Sequence, residues 1–336
     1  NAQPLYNGNI SVFSSGIPGN TNSGSAYRYG YDALNRLTAA TDIATYARFN
    51  VSDITYDKNG NLLTLKREGS IVNNPSIANN NHYGVIDDLV YQYRGNQVMI
   101  LSDIAQHEDY GFYDDQRLDI VEPWSAYGYD YGYDANGNMV NDINRNIGAP
   151  PGMPNSGILY NHLNLPQTIF IKLDYRRTIY TYDANGNRLK KDWAWDSNFG
   201  VTEYAGNFVY ENGGLQFFNH PEGYATPNNS GGYDYVYHYK DHVDNVRLSF
   251  TEDPNNPGSP IAIEENYYYP FGAPHKGANF AGDNALGNDL AERWKFGGKE
   301  LEEELKYQTY DFGARNYDPW AARWINIDPL AEQMRR

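Results

Sequence analysis

A tyrosine–aspartate signature that returns along the chain limits the possible folds more than any other feature of the sequence. Each copy places aromatic residues before an Asp, and Asn- or Gly-containing turn residues after it. The clearest copies lie at residues 27–37, 54–62, 131–139 and 180–189. Weaker copies at 89–98 and 160–169 keep the aromatics but lack the Asp. An internal repeat of this kind indicates one structural unit stacked on its copies.

The repeat unit has the pattern of a β-hairpin. Tyrosines two positions apart, such as Tyr27, Tyr29 and Tyr31, share one face of a strand. Asp and Asn side chains then bond their own backbone, and Gly accepts a positive φ in the turn. The sequence therefore predicts a mainly β fold of antiparallel hairpins. A continuous spiral or a closed barrel would protect the many sheet edges.

The pattern divides the chain into three parts. Residues 1–26 are rich in Asn, Gly, Ser and Pro and are predicted to be an irregular lead-in. Residues 27–265 carry the repeats and form the predicted β shell, and residues 266–336 form a predicted closing domain with short helices. In that domain 299–305 is a predicted two-turn helix. Asp328-Pro329 has the pattern of an N-cap leading into a helix over 330–334.

Composition narrows the possible functions. Tyrosine accounts for 32 of the 336 residues and the mean hydropathy is -0.73. Because tyrosine has an apolar ring and a polar hydroxyl, this composition favours broad sheet surfaces that are partly exposed to water. The formal net charge of -16 argues against nucleic acid and anionic membranes as partners and favours solubility. The chain has no Cys, which excludes disulfides and Cys-based zinc sites.

No apolar run is long enough to span a membrane, so membrane insertion is not expected. The chain begins Asn1-Ala2 without Met. We interpret it as a processed form or a fragment of a longer protein. No cofactor is expected, because the residues show no pattern that would bind one.

Two features of the sequence have both a metal-binding and a structural interpretation. The Asp-x-Asn-Gly-Asn turns alternate oxygen side chains as a calcium loop does, but the Gly falls at position four and no bidentate Glu follows. Hairpin turn chemistry therefore explains them better. His238 and His242 would lie on one face of a strand. Packing is favoured over metal binding there because no third ligand is apparent.

Two surface features also have competing interpretations. The aromatic stripes fit cross-strand packing, and the alternative is a carbohydrate-binding platform. The acidic run Glu302-Glu303-Glu304 is predicted to be the solvated face of a helix.

A long C-terminal motif carries a family resemblance. Its segments are Tyr267-Tyr268-Tyr269-Pro270-Phe271-Gly272, Trp294-Lys295-Phe296-Gly297-Gly298-Lys299-Glu300-Leu301, Tyr310-Asp311-Phe312-Gly313-Ala314-Arg315-Asn316-Tyr317-Asp318-Pro319 and Ala322-Arg323-Trp324-Ile325-Asn326-Ile327-Asp328-Pro329-Leu330. Together with the repeats, residues 27–334 resemble Rhs/YD-repeat proteins with an Rhs core-associated domain. The residues Tyr-Pro-Phe-Gly and Asp-Pro-Leu-Ala-Glu of the motif are similar to the versions found in Bacteroidetes-type bacteria.

The resemblance implies a β ribbon that spirals into a hollow cocoon with a plug at one end. Rhs proteins and the related toxin-complex C subunits enclose a C-terminal toxin cargo. The implied partners are that cargo, which this chain lacks, and the remaining N-terminal shell or a secretion machinery. The implied location is secreted or at the cell surface. The alternative is a secreted or surface adhesin or carbohydrate-interaction module built from the same repeats.

The resemblance also implies self-cleavage of the chain just downstream of the closing motif. The family's Arg and Asp residues map to Arg323 and Asp328, with Asp318 as a supporting carboxylate. One carboxylate would activate water while a second group polarises the amide. Ala322 departs from the family's Gly before the Arg. If a second catalytic Asp belongs to the family's further downstream elements, we expect no cleavage by this chain alone. Asp-Pro is also common turn chemistry, so a structural role for Asp318 and Asp328 stays open.

Overall fold

The computed structural model describes residues 5–16, 24–44, 46–76, 78–105, 107–115, 128–149, 156–171, 176–195, 198–276, 280–281, 286–304 and 307–330. Contacts group the chain into two compact units. One unit is Asn1–Gln116 with Tyr267–Asn279, and the other is Arg117–Asn266 with Phe280–Arg336. This division crosses both the repeat region 27–265 and the closing domain 266–336 that the sequence predicts.

The first unit contains a seven-stranded sheet whose strand order follows the chain. Every neighbouring pair is antiparallel, as the hairpin pattern predicts. Val12–Ser15 lies in the stretch predicted to be irregular, but it pairs with the first repeat strand and extends the sheet. The strands are β1 (Val12–Ser15), β2 (Ser25–Tyr31), β3 (Leu37–Asp42), β4 (Val51–Tyr56), β5 (Leu62–Ser70), β6 (Tyr83–Arg94) and β7 (Gln97–Asp103).

The segment Tyr267–Lys276 packs on this first sheet through aromatic rings. His275 stacks parallel to Phe49, with ring centroids 4.2 Å apart, and its Nε2 lies 2.8 Å from the Tyr27 hydroxyl. The Tyr269 hydroxyl donates to the carbonyl of Glu68 at 2.7 Å. Each ring thus buries an apolar face while its polar atom keeps a hydrogen bond.

The second unit contains a twelve-stranded antiparallel sheet, again in chain order. A two-stranded and a four-stranded sheet lie before and after it in the sequence. The strands of the unit are β8 (Tyr131–Tyr133), β9 (Met139–Asp142), β10 (Ile158–Tyr160), β11 (Pro166–Ile171), β12 (Arg176–Tyr182), β13 (Arg188–Trp195), β14 (Asn198–Ala205), β15 (Phe208–Glu211), β16 (Gly214–His220), β17 (Gly223–Pro227), β18 (Tyr233–Lys240), β19 (Val246–Glu252), β20 (Pro260–Glu265), β21 (Phe280–Ala281), β22 (Glu300–Glu302), β23 (Thr309–Asp311), β24 (Asn316–Asp318) and β25 (Arg323–Trp324).

The two faces of the twelve-stranded sheet differ. One face, which we call the covered face, presents Val209, Phe217, Tyr224 and Val236 to a buried apolar cluster. Leu290 and Ala291 of the chain's C-terminal part complete that cluster. Residues that alternate with these along the strands lie on the opposite side, the open face, where several aromatic side chains are solvent-exposed. The covered face therefore forms the core of this unit.

Helix is scarce, as the sequence predicts. The described residues contain short 3-10 turns at Asn80–His82, Ala291–Arg293 and Phe296–Gly298. The predicted helix over 299–305 is wrong for its described residues, because Glu300–Glu302 is a strand of the four-stranded sheet. The predicted C-terminal helix lies outside the described residues beyond Leu330, which is in a turn.

Candidate functional site

The repeat turns share one hydrogen-bond arrangement. In the turn at Asp57, Oδ1 accepts the backbone amides of Asn59 and Asn61, both at 2.8 Å, and Oδ2 accepts the Asn61 side-chain amide. The turns that begin at Asp134, Asp183 and Asp241 repeat it. Both carboxylate oxygens thus accept hydrogen bonds inside each turn. Hairpin turn chemistry, which the sequence favours over calcium binding, accounts for these residues.

The tyrosine before the turn also has a fixed partner. The hydroxyls of Tyr56 and Tyr182 donate to the carbonyls of Leu37 and Pro166, at 2.8 and 2.9 Å. Each acceptor is the first residue of the preceding strand, so the hydroxyl ties one hairpin to the one before it. Tyr160, in a weaker copy, bonds the carbonyl of Met139 in the same way at 2.7 Å. The tyrosine before each of these turns therefore links its hairpin to the preceding one.

The C-terminal part of the second unit, residues 286–304 and 307–330, is the candidate functional site, and we call it the closing segment. It docks on two repeat turns. Asn138 and Asn245 occupy the same position in their turns and are 0% and 4% exposed. Their Oδ1 atoms accept the backbone amides of Ile327 at 3.2 Å and Gly297 at 2.7 Å. Repeat turns thus provide the docking groups for the closing segment.

Apolar contacts hold the start of the closing segment. Leu290 and Ala291 are buried against the covered face, and Trp294 packs edge-on against Phe217 with ring centroids 5.3 Å apart. Asn288 adds polar contacts, because its backbone amide donates to the Tyr224 hydroxyl at 3.0 Å. This part of the segment therefore closes the core of the second unit.

A buried ionic cluster holds the middle of the closing segment. Lys191 of β13 projects from the covered face and is 0% exposed. Its Nζ lies 2.9 Å from Glu300 Oε1, 3.2 Å from Glu302 Oε2 and 2.9 Å from Glu304 Oε1. Arg188 of the same strand forms ion pairs with Glu300 and Glu302, and with Asp311 at 3.2 Å. Arg293 pairs with Glu304.

The charges of this cluster shift the pKa values of its members. Burial alone would lower the pKa of Lys191, but Glu300 and Glu302 outweigh it and raise the pKa well above the ordinary value. Burial opposes ionisation of Glu302, yet Arg188 and Lys191 lower its pKa to about 2. Burial raises the pKa of Asp311, against the effect of Arg188. Lys191 and Glu302 are therefore both held charged.

The cluster corrects the interpretation of the acidic run. Glu302 is 1% exposed and belongs to a strand, so it does not lie on a solvated helix face. Glu300, Glu302 and Glu304 are two apart, and in the structure all three carboxylates meet Lys191. A spacing of two positions in the sequence indicates that the three side chains share one face of a strand. Nothing in the sequence indicates that their partners are Lys191 and Arg188, which lie over 100 positions earlier.

Asp318, a predicted supporting carboxylate, lies in a second buried ionic group. Its Oδ2 is 2.7 Å from Arg145 Nη2, and Arg145 Nη1 is 2.8 Å from Asp142 Oδ2. Its Oδ1 accepts the backbone amides of Trp320 and Ala321, both at 3.0 Å. Both oxygens are thus used to fix the turn after β24 and to attach it to the β9 region.

The structure places the other two predicted catalytic residues apart. Arg323 lies opposite Asp318 in the pairing of β25 with β24. Asp328 pairs instead with Arg315 at 3.1 Å, and its Oδ1 accepts the Leu330 amide at 2.8 Å. Among the described residues, no hydrogen bond or ion pair joins Asp328 to Arg323. The predicted catalytic set is therefore not assembled as one contact group, and the cleavage role of these residues stays a prediction.

The candidate metal residues have other surroundings. His238 packs edge-on against Tyr224, with ring centroids 5.6 Å apart. Burial lowers its pKa to about 4. Over the described ranges, no group of three or more His, Cys, Asp or Glu side chains is placed to hold a metal ion. Within those same ranges no helix is both long and apolar enough to cross a membrane.

Comparisons with known proteins include a weak structural similarity. No family model matches the chain, and no curated protein matches it. A crystal structure of TcdB2–TccC3 without its hypervariable C-terminal region aligns with a TM-score of 0.40 and 16% identity. The alignment covers 92% of this chain and 17% of that chain, so this chain spans a small part of that protein's length. At this identity and TM-score the similarity does not assign a family.

Proposed function

We propose that this chain is part of an Rhs-type shell that encloses a C-terminal toxin cargo, and that the closing segment is its plug. The observation that carries the proposal is the docking of the closing segment on the covered face through buried ion pairs. Lys191 is fully buried and meets three carboxylates of one short segment. A segment that lay on the surface could keep its carboxylates in water and would avoid the free-energy cost of desolvating them.

The buried ion pairs fix the position of the closing segment more than they add to its stability. Removing charges from water costs several kcal/mol per ion, so a buried ion pair adds little net stability. It does penalise every arrangement in which one partner is left unpaired. The closing segment is therefore held in one register on the sheet. A plug needs this property, because the chain that follows it must be directed to one side of the shell.

The partners follow from the proposal. They are a C-terminal toxin cargo, together with the remaining N-terminal shell or a secretion machinery, and the protein would act when secreted or at the cell surface. The family resemblance of the repeats and the closing motif supports this, as does the repeated hairpin-to-hairpin tyrosine bond. The net charge of -16 favours neither nucleic acid nor an anionic membrane as a partner.

Protease protection in the full-length gene product tests enclosure. We would add a broad protease to the wild type and follow the region downstream of Arg336 by mass spectrometry. The proposal expects that region to survive in the wild type and to be digested in Lys191→Met, whose plug is loosened. Lys190→Met is the matched control, because Lys190 is 38% exposed and its ion pair is with the similarly exposed Asp192. Equal digestion in all three proteins would refute enclosure.

We propose self-cleavage as a separate property of the same plug, with Arg323 and Asp328 as the groups that act on the peptide. Asp318 then serves as a positioning residue, because its oxygens already bind Arg145 and two amides. Intact mass and C-terminal sequencing of the full-length product would test this. A discrete cut that Arg323→Ala and Asp328→Asn abolish supports the assignment. An uncut wild type would leave these residues with structural roles only.

A further inference from the structure

The tyrosines of β18 form an exposed row on the open face of the twelve-stranded sheet, which we call the tyrosine row. Tyr233, Tyr235, Tyr237 and Tyr239 alternate along the strand and are 45%, 48%, 38% and 66% exposed. Phe218 of β16 packs edge-on against Tyr233, with ring centroids 5.1 Å apart. Large side chains with apolar surface that are exposed together in this way mark interaction sites.

Tyrosine rings elsewhere in the chain are contacted by the chain's own arginines. The guanidinium carbon of Arg36 lies 4.5 Å from the ring centroid of Tyr56, and that of Arg188 lies 4.7 Å from the ring centroid of Tyr204. Such contacts are favourable because the ring face is electron-rich and attracts a cation. Within the ranges that the structure describes, no Arg or Lys lies over a ring of the tyrosine row. Its rings can therefore accept cations from another chain.

The charges that surround the tyrosine row are acidic. By alternation along their strands, β14 and β19 place Glu203 and Glu252 on the open face, and both are exposed. The described strands β14–β19 contain two cationic side chains. Arg247 is paired with Asp241 at 2.8 Å, and Lys240 alternates with the tyrosines of the row. The open face thus complements a basic partner.

From these observations we infer that the tyrosine row binds an extended segment of a protein partner that carries arginines at alternate positions. Alternate side chains of an extended segment recur about every 7 Å, as the tyrosines do along β18. Arginine suits these rings better than lysine, because its guanidinium is planar, stacks on aromatic faces and is more weakly hydrated. The inference goes beyond the proposed shell, because the row lies on the face opposite the closing segment.

Fluorescence anisotropy with labelled synthetic peptides tests the inference at one ionic strength. The probe is a peptide of four Arg-Thr repeats. A peptide of four Lys-Thr repeats has the same charge, and a third peptide has the residues of the probe in one Arg block and one Thr block. The protein variant is Tyr235→Leu/Tyr239→Leu, which removes two rings but keeps apolar side chains. The control is Tyr6→Leu, since Tyr6 is 96% exposed and belongs to the other unit.

We expect the wild type and Tyr6→Leu to bind the Arg-Thr peptide more tightly than the two other peptides. The tyrosine variant should lose about tenfold in affinity, as for the loss of two cation–π contacts. Glu203→Gln/Glu252→Gln keeps all the rings and should bind more weakly, with a smaller salt dependence. Circular dichroism would confirm that all four proteins keep the same fold.

Several results would overturn the inference. They are no binding of the Arg-Thr peptide, equally tight binding of the Lys-Thr or block peptide, and equal affinity of the wild type and the tyrosine variant. A wild-type dimer in sedimentation that the tyrosine variant abolishes would also overturn it, because the row would then bind a second copy of the chain.

Discussion

Lys191 Nζ lies 2.9 Å from Glu300 Oε1 at the centre of the second unit, although the two residues are 109 positions apart. Both side chains are almost completely buried, at 0% and 2% exposure. The pair joins β13, which follows the repeat turn at Asp183, to β22, the first strand of the closing segment.

Removal of the Lys191 charge should destabilise the second unit strongly. Lys191→Met keeps most of the side-chain volume but leaves three buried carboxylates with less compensation, which costs about 3–5 kcal/mol. Lys190→Met should cost less than about 1 kcal/mol, because its ion pair is exposed. Urea unfolding followed by tryptophan fluorescence would measure both, with Trp193, Trp195, Trp294, Trp320 and Trp324 as probes in this unit. Similar losses in both variants would contradict the role of the cluster.

The same cluster predicts an acid dependence. Glu302 has a pKa of about 2 in the folded chain against an ordinary value of 4.5, so the folded state holds fewer protons than the unfolded state between these values. Its contribution to the free energy of unfolding is present above about pH 4.5 and is lost as the pH falls toward 2. Glu302→Gln cannot titrate. The stability difference between wild type and variant should therefore shrink as the pH falls through that window.

Unfolding series of the two proteins at matched ionic strength would measure this difference. The comparison removes the opposite contribution of Asp142, whose pKa burial raises, because both proteins contain it. Asp311 does not cancel in this way, since the Glu302 charge adds to burial in raising its pKa. A difference that stays constant from neutral pH to pH 2 would show that Glu302 does not stabilise the fold through its charge.

Asp103 in the first unit predicts the reverse dependence. Burial raises its pKa from 3.8 to about 6. Between these values the folded state keeps a proton that the unfolded state has lost, so the contribution of Asp103 to stability falls as the pH rises from 3.8 to 6. Asp103→Asn should thus gain stability relative to the wild type over this window. Hydrogen exchange of the peptide covering β7 would measure it, and a pH-independent difference would argue against the shift.

The sequence predicted the hairpins because their signals are local. Asp57 and Asn61 form their turn within five residues, so the chemistry of the turn can be read from adjacent positions. The alternate tyrosines likewise predicted a shared strand face. The closing segment was harder to predict, because Glu300 and Glu302 depend on Lys191 and Arg188 over 100 residues away. A helix was predicted there because a run of Glu has helical propensity, and tertiary ion pairs outweigh propensity.

For the predicted catalytic residues, too, the sequence indicates local contacts but not contacts with distant parts of the chain. The Asp-Pro pattern correctly indicated turn chemistry at Asp318, where Oδ1 accepts two amides. Its ion pair with Arg145 comes from a distant hairpin and has no local signal. The docking role of Asn138 was also missed, because Asn187 has the same local sequence but an exposed side chain. Only the fold distinguishes these two turns.

Asn138 and Asn187 should respond differently to truncation, because only Asn138 accepts a hydrogen bond from the closing segment as described. Asn138→Ala removes the acceptor for the Ile327 amide and the side-chain bonds to Asp134 and Asn164. Leaving buried partners unsatisfied should cost about 1–3 kcal/mol. Asn187→Ala breaks the equivalent bond to Asp183 in a turn with no such bond to the closing segment. Hydrogen exchange should therefore accelerate in the peptide covering β25 and Ile327 for Asn138→Ala alone. Equal acceleration in both variants would mean that the turns stabilise the closing segment only through the general stability of the sheet.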